Sequence, residues 1–527
     1  MAQWNKSTQD YLNQERTLHE VYMRCDEYGN VISPSACGES AFGETIAVTL
    51  TPKIQADAIY GLDPRNFETF KFSNSGIATH ESNMFKVGAG TDANSYGVIR
   101  SSRFLRYHPG QGAVARFTAS FSANPVGFSQ RAGLFNQENA IQVGYNTDGK
   151  FGILRATGGK AHIHRFTFTA LADGDVTLTV NGTSFTAVTL SGGSVAANIS
   201  QLVKGLRQQA LFNALYIAEY DQTTLSVLAT SLGAQNGTNN VTSTATVTFT
   251  SDHLQAGVAQ TEYWTPQEEF NLDKLDGTGY SGVTLDPSKL NVYQINFRWL
   301  GSGEQRYAIE NPLNGDMMFF HCEQYSNQNT VPHLDNPSLK LGYVAVNLAG
   351  ATSGVVTTRG ASMMGAVEGI TPQTRVPYSA LGSRVDAMNS PGSLYHVLSV
   401  KNRLIYQNKA NTRDLVIRKI TASVNTVGDP ATVYVYLNPT LTNNLRWTSI
   451  NEFNSTLTAT QDSTGLFVLP AQSTAPVATF FVSDGGTLNI DVRNLGIDVP
   501  PNSYLTIAMS STSNMTAASA ALIYVED

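Results

Sequence analysis

Apolar and polar residues alternate along most of this chain in short runs, the period-2 pattern of strands with one buried face. ARFTASF (115–121), FGILRA (151–156), NVYQINFRW (291–299) and LKLGYVAVN (339–347) are examples, each bounded by Gly, Pro, Asn or Asp. The spacing predicts a β-sandwich over residues 67–166, resumed over 253–371. LVIRKITASV, ATVYVYL, GLFVLP, VATFFVS, TLNIDV, SYLTIAMS and AALIYVED then predict a second sandwich over 393–527. PQTRVPYSALGSRVDAMNSPG lies between them, without periodicity, and reads as a linker over 372–392.

Two stretches break the pattern. Tyr11, Leu12, Leu18, Val21 and Tyr22 partly match a helical stripe, predicting a short helix in an N-terminal arm over residues 1–66. In 167–252, VTLTV and SFTAVTL flank Asn181-Gly182, a pair suited to the positive φ angles of a type I′ hairpin turn. Ser194 then caps a run that places Val195, Ile199, Leu202, Val203 and Leu206 on one helix face, and two more strands follow. This hairpin, helix, hairpin order predicts a small α+β domain inserted into the first sandwich, since a loop tip accepts an insertion at modest entropic cost.

Composition narrows the class. Charged residues are only 14% of the 527, while 41% are hydrophobic, enough for several packed cores. The net charge of -7 gives no footprint for binding a phosphate backbone, so no nucleic-acid partner is expected. Cys25, Cys37 and Cys322 are too few for a disulfide framework and fit assembly in a reducing cytoplasm, although pairing of Cys25 with Cys37 stays open. The first twenty residues lack the apolar stretch of a secretory signal, and no run approaches the length of a membrane-spanning helix, so neither classical export nor membrane insertion is expected.

Four segments together resemble a family of virion structural proteins of tailed phages and some large DNA viruses. They are RSSRFLRYHPGQGAVARFTASF, FGILRATGGK, YWTPQEEFNLDKLDGTGYSGVTLDPSKLNVYQINFRWLG and NTVPHLDNPSLKL, within residues 70–370. The resemblance implies a mainly β fold: a concanavalin- or jelly-roll-like sandwich with a small inserted domain. It implies a structural component of a tail, fibre, baseplate or outer surface, with no enzymatic residues and no cofactor. The expected partners are further copies of the chain, with a trimer slightly favoured, and other virion proteins. The expected place is the virion, assembled in the host cytoplasm. A carbohydrate-binding adhesin that attaches to host surface glycan is the alternative.

The candidate residues have plainer readings beside the functional ones. Trp264, Trp299 and Trp447 are candidate sugar-stacking platforms, but sandwich cores also use Trp. Arg106 and Arg116 are candidates for subunit or glycan contacts, while Arg103 is assigned to local salt bridges. Asp273 and Asp276 in LDKLDGTG are weak calcium candidates in a stretch that also has the composition of a tight turn. His162 and His164 share a strand face and form half a metal site, with no third ligand near in sequence. His321 and Cys322 sit among bulky residues and read as packing. Glu268 and Glu269, beside Trp264, are the best carboxylate pair for hydrolysis, but adjacent strand residues face opposite ways.

Overall fold

A computed structural model describes residues 50–348, 350–351, 353–369, 375–384, 388, 392–426, 428–439, 446–450, 456–460 and 475–527, with a two-residue strand pair, Arg24–Cys25 and Val31–Ile32. The predicted N-terminal helix, the GLFVLP strand and the Cys25–Cys37 question lie outside the described residues.

The chain is mainly β, and its strands pair antiparallel throughout the described sheets. One sheet of the first sandwich has seven strands: β1 (Phe67–Phe72), β2 (Tyr96–Ser101), β3 (Phe128–Phe135), β4 (Ala140–Tyr145), β5 (Phe151–Thr157), β6 (Thr261–Pro266) and β7 (Lys340–Asn347). Their spatial order is β6-β5-β4-β3-β7-β2-β1. The facing sheet centres on Ala113–Phe121, which pairs with Asn291–Phe297 on one side. Alternate residues of the two sheets meet between them. Phe121 stands 5.9 Å from Phe151 across the gap, and Phe117, Ile295, Ile141 and Tyr343 are fully or almost fully buried there.

Two boundaries differ from the sequence reading. Leu50–Asp57, placed in the arm, is a strand of the sandwich paired with Ser362–Glu368. Ile54, on this strand, and Ala58, just after it, both reach the core. Tyr378–Arg384, placed in the linker, pairs along its length with Met515–Glu526 and opens the second sandwich. The sequence reads one strand in the arm, at IAVTLTP, but not its place in the sandwich, and it reads none in the linker; both are edge strands, where one unpaired side tolerates Pro and polar residues that break an alternating pattern.

Residues between Ala161 and Gln255 form a separate core of Phe166, Val176, Leu178, Ile199, Leu202, Phe212 and Leu225. Asn181 and Gly182 have φ of 51° and 79° and join paired Val180 and Thr183, the two-residue turn that this dipeptide favours. Helix α1 (Val195–Leu206) is capped by the Ser194 side chain, which accepts from the Ala197 N–H. It turns Ile199, Leu202, Val203 and Leu206 inward. The strand Ala161–Leu171 runs unbroken across residue 167 and pairs with Val247–Gln255, so the unit begins six residues before the predicted boundary, just beyond Gly158 and Gly159.

The second sandwich packs a sheet built around Leu415–Thr426 and Met515–Glu526 against one built around Tyr395–Asn402 and Tyr504–Ser511, with Val400, Ile420, Val433, Ile507 and Leu522 between. Buried ion pairs join the units. Arg106 of the first sandwich meets Asp414 of the second at 2.9 Å, and Glu219 of the inserted unit meets Lys401 at 3.5 Å.

Candidate functional site: a cleft between the seven-stranded sheet and the inserted unit

In β1–β7 the residues that do not face the core form a second face, and cross-strand register fixes its rows. The central row reads Trp264, Leu154, Gln142, Gly133, Gly342, Arg100, Glu68 from β6 to β1. To one side lie Ala140, Phe135 and Lys340; to the other lie Arg131, Val344, Val98 and Phe70. Two glycines stand at the middle of the central row, where a Cβ would meet neighbouring strand backbone, and the side chains around them line the cleft.

The inserted unit roofs this floor. Tyr96 Oη donates to the Ala214 carbonyl at 3.1 Å, and Ile217, Thr230 and Leu232 hang over the sheet. A cleft of about 250 Å³ remains beneath them. A second cleft of about 610 Å³ shares the wall made by Phe70, Arg100 and Gln137 and reaches Asn411 and Asn502 of the second sandwich.

The charges on this face are unevenly answered. Glu68 accepts from Arg100 Nε at 2.7 Å and also from Lys340, whose ammonium lies 4.6 Å from the Phe104 ring centre. Burial works to raise the Glu68 carboxyl, but the two cations outweigh it and hold the pKa below the ordinary value. Arg131 has a weaker partner: its Nη1 lies 3.5 Å from Glu262, and its buried Nε has no hydrogen-bond partner. The Gln142 Nε2 is also buried and unpartnered, in a residue 2% exposed. So is the Trp264 indole N–H, at the end of the central row. Buried donors left in this condition are costly, so a face holding three of them suits an acceptor-rich ligand.

A second cluster lies at the root of the inserted unit. His162 and His164 share a face of Ala161–Leu171, and His253 arrives from the paired strand, with ring nitrogens of the three within 4.8 Å. Sequence spacing could not reveal the third histidine, which lies 91 residues from His162. The hydrogen bonds argue against a metal. A ligating imidazole turns one lone pair to the metal and its other N–H outward to an acceptor. His162 Nδ1 instead accepts from the backbone N–H groups of Gln235 and Gly257, both at 3.1 Å. Its proton therefore sits on Nε2 and is donated to His253 Nδ1 at 2.8 Å. His164 is held between Gln235 Oε1 and Asn239 Nδ2, both at 3.0 Å. Burial is the largest cause holding both rings neutral, lowering His164 and bringing His162 to about 4.

The structure scatters the other candidates. Trp447 is buried against Tyr220 and Tyr504 at the junction with the inserted unit, so it is no sugar platform. Trp299 is half-buried against the main core, away from the cleft, and donates its N–H to the Leu334 carbonyl at 2.9 Å. Only Trp264 belongs to the cleft face, packed with Phe135, Ala140 and Leu154. Arg106 is spent on Asp414 within the chain rather than on a neighbouring subunit. Arg116 is exposed and donates to Gln294 Oε1 at 2.8 Å, and Arg103 bonds the Gly496 carbonyl.

Asp273 is 2% exposed and accepts from the N–H groups of Leu275 and Ser281, while exposed Asp276 accepts from Thr278; both carboxylates hold the turn itself. Gly279 lies so close to Asp273 that an added Cβ would sit 2.1 Å from its oxygen. Glu268 and Glu269 are on a 3₁₀ turn, Gln267–Glu269, not on a strand, and both are exposed; Glu268 pairs with Lys150 at 3.2 Å. Burial raises the Cys322 thiol to about 11 and lowers His321 to about 4, as packing predicts.

No family model and no curated protein matches the chain. Among solved structures it is similar to lectin II from Ulex europaeus, at 7% identity and TM-score 0.22, covering 60% of this chain and 99% of that one. It is also similar to arcelin-5, a lectin-like defense protein from Phaseolus vulgaris, at 10% identity and TM-score 0.20, covering 58% and 100%. A third similarity is to the triple jelly roll protein of an archaeal virus turret, at 9% identity and TM-score 0.15, covering 92% and 98%.

Proposed function

We propose that this chain is a structural protein of a virus particle, a tail, fibre or baseplate-associated component that forms subunit contacts at the virion surface and catalyses no reaction. The observation that carries the reading is where its charged groups are used. Arg106, Asp414, Glu219 and Lys401 lie buried between units, welding three β cores together. Of the carboxylates that sequence offered for chemistry, Asp273 and Asp276 hold turns, Glu268 pairs with Lys150 at the surface and Glu269 is exposed. In the segments of viral resemblance, RSSRFLRYHPGQGAVARFTASF supplies both Arg106 and the central strand Ala113–Phe121. The chain works as a homo-oligomer, with a trimer favoured, alongside other virion proteins. Proteomics of purified particles and complementation of a virus lacking the gene test this. Full yield and full infectivity without the protein would sink it.

A second reading, attachment to host glycan, is favoured by one feature, the donor-lined cleft beneath Ile217, Thr230 and Leu232. A glycan array probed with the full chain tests it, and uniform absence of binding removes it.

A further inference from the structure

We propose that the smaller cleft binds one acidic monosaccharide unit of a surface glycan, with Arg131 meeting the sugar carboxylate and Gln142 donating to a ring hydroxyl. This rests on the glycan reading and gives it a ligand class.

Size comes first. A cleft of about 250 Å³ is slightly smaller than the roughly 300–1,000 Å³ typical of sites for drug-sized molecules, which suits a single ring whose neighbours continue outside. The polarity of the walls comes next. Phe135, Ala140, Val98 and Val344 give apolar surface, against which the C–H face of a pyranose packs, while Gln142 and Thr230 supply polar groups for its rim. Thr230 already donates its hydroxyl proton to the Ala214 carbonyl at 2.7 Å, so its oxygen is left to accept from a sugar hydroxyl.

Charge selects the acid. The lining contains two guanidiniums, Arg100 and Arg131, and no carboxylate. Arg100 is answered from outside the cleft by Glu68 at 2.7 Å. Arg131 has only Glu262 at 3.5 Å, and that carboxylate is itself held at 2.8 Å by Gln260 Nε2. The Arg131 Nε is left over, on the edge of the planar fork that carboxylates engage with two parallel hydrogen bonds. A neutral sugar could answer that donor with a hydroxyl oxygen, but it would bring no charge to the guanidinium, whose one carboxylate partner stays 3.5 Å away.

The test uses the full-length chain, with sodium glucuronate and glucose as probes, read by titration calorimetry and ligand-observed NMR. The two sugars share a ring and differ at the carboxylate. Glucuronate is expected to saturate, with glucose weaker by about tenfold or more. Arg131→Gln should remove that preference, and Gln142→Leu should weaken glucuronate binding. Since Arg131 is mostly buried, Leu232→Trp provides a second variant that fills the cleft from its roof; it should abolish binding while the thermal melt stays cooperative. Equal affinity for both sugars, lost in Leu232→Trp, would overturn the acidic assignment but keep the glycan reading. Binding unchanged in Leu232→Trp would place the ligand elsewhere and overturn the proposal. Failure of folded wild-type protein to bind either sugar, together with a blank glycan array, would end both.

Discussion

Arg106 and Asp414 meet at 2.9 Å with side chains 9% and 8% exposed, joining segments of different sandwiches 308 residues apart in sequence, Asp414 immediately before the strand Leu415–Thr426. A pair this deep is expensive to form and more expensive to break by halves, because the survivor stays buried without a counter-charge. Arg106→Leu is therefore expected to destabilise the folded chain by about 3–5 kcal/mol in denaturant unfolding. Arg106→Leu with Asp414→Leu should recover most of that loss. A double variant no better than the single one would show that the pair does not act as a unit.

The neutral buried histidines predict acid sensitivity. His162, His321, His333 and His396 are each lowered to about 4 from an ordinary 6.5, with burial the leading cause. The unfolded chain takes up these protons at higher pH than the folded chain does. Stability is thus fully present above pH 6.5 and falls as pH drops from 6.5 toward 4. Melting temperature measured across that window should decline, and less steeply in His162→Gln. A flat profile would contradict it.

Core and surface substitutions should separate cleanly. Phe117→Asp or Ile295→Asp places a charge at a position 2% or 0% exposed and should prevent folding and particle incorporation. Glu268→Gln, Glu269→Gln and Asp276→Asn should leave both unchanged. Asp273→Asn is expected to cost about 1–3 kcal/mol in chemical unfolding, because one of its two backbone N–H partners then faces an amide NH₂. Normal particles that lose infectivity only on an acid-to-amide change would instead point to chemistry or to calcium.

Oligomeric state is the most direct check on the assembly reading. Sedimentation of the purified chain at micromolar concentration is expected to give a trimer. A monomer there, together with a monomeric density in particle reconstructions, would remove that expectation.

Much of this architecture was legible because alternation is local. The runs at 115–121 and 151–156 became strands, as did 291–297 of the run at 291–299, and Asn181-Gly182 became the turn its positive φ preference requires. The helix after Ser194 was equally plain, since cap and stripe fall within one short window. The cleft was not legible. Gln142, Gly133, Gly342 and Arg100 belong to four strands, and only register brings them into one row. Within its own strand each looks like an ordinary outward residue. His253 was missed for the same reason, and sequence could not separate Trp264, which lies on the cleft face, from Trp299 and Trp447, which pack, because it gives no account of which side of a sheet another unit covers.

The inserted unit leaves the first sandwich through two adjacent strands, closed at their base by the Lys160–Val258 bridge, whereas the second sandwich is joined to the first by a single covalent crossing. Tension applied to the inserted unit is therefore shared by two covalent chains lying side by side. Tension on the second sandwich runs through one covalent chain and through side-chain contacts at its junctions, among them Arg106–Asp414 and Glu219–Lys401. The two attachments therefore carry load differently: the first as a double covalent tether, the second as a single tether braced by buried ion pairs.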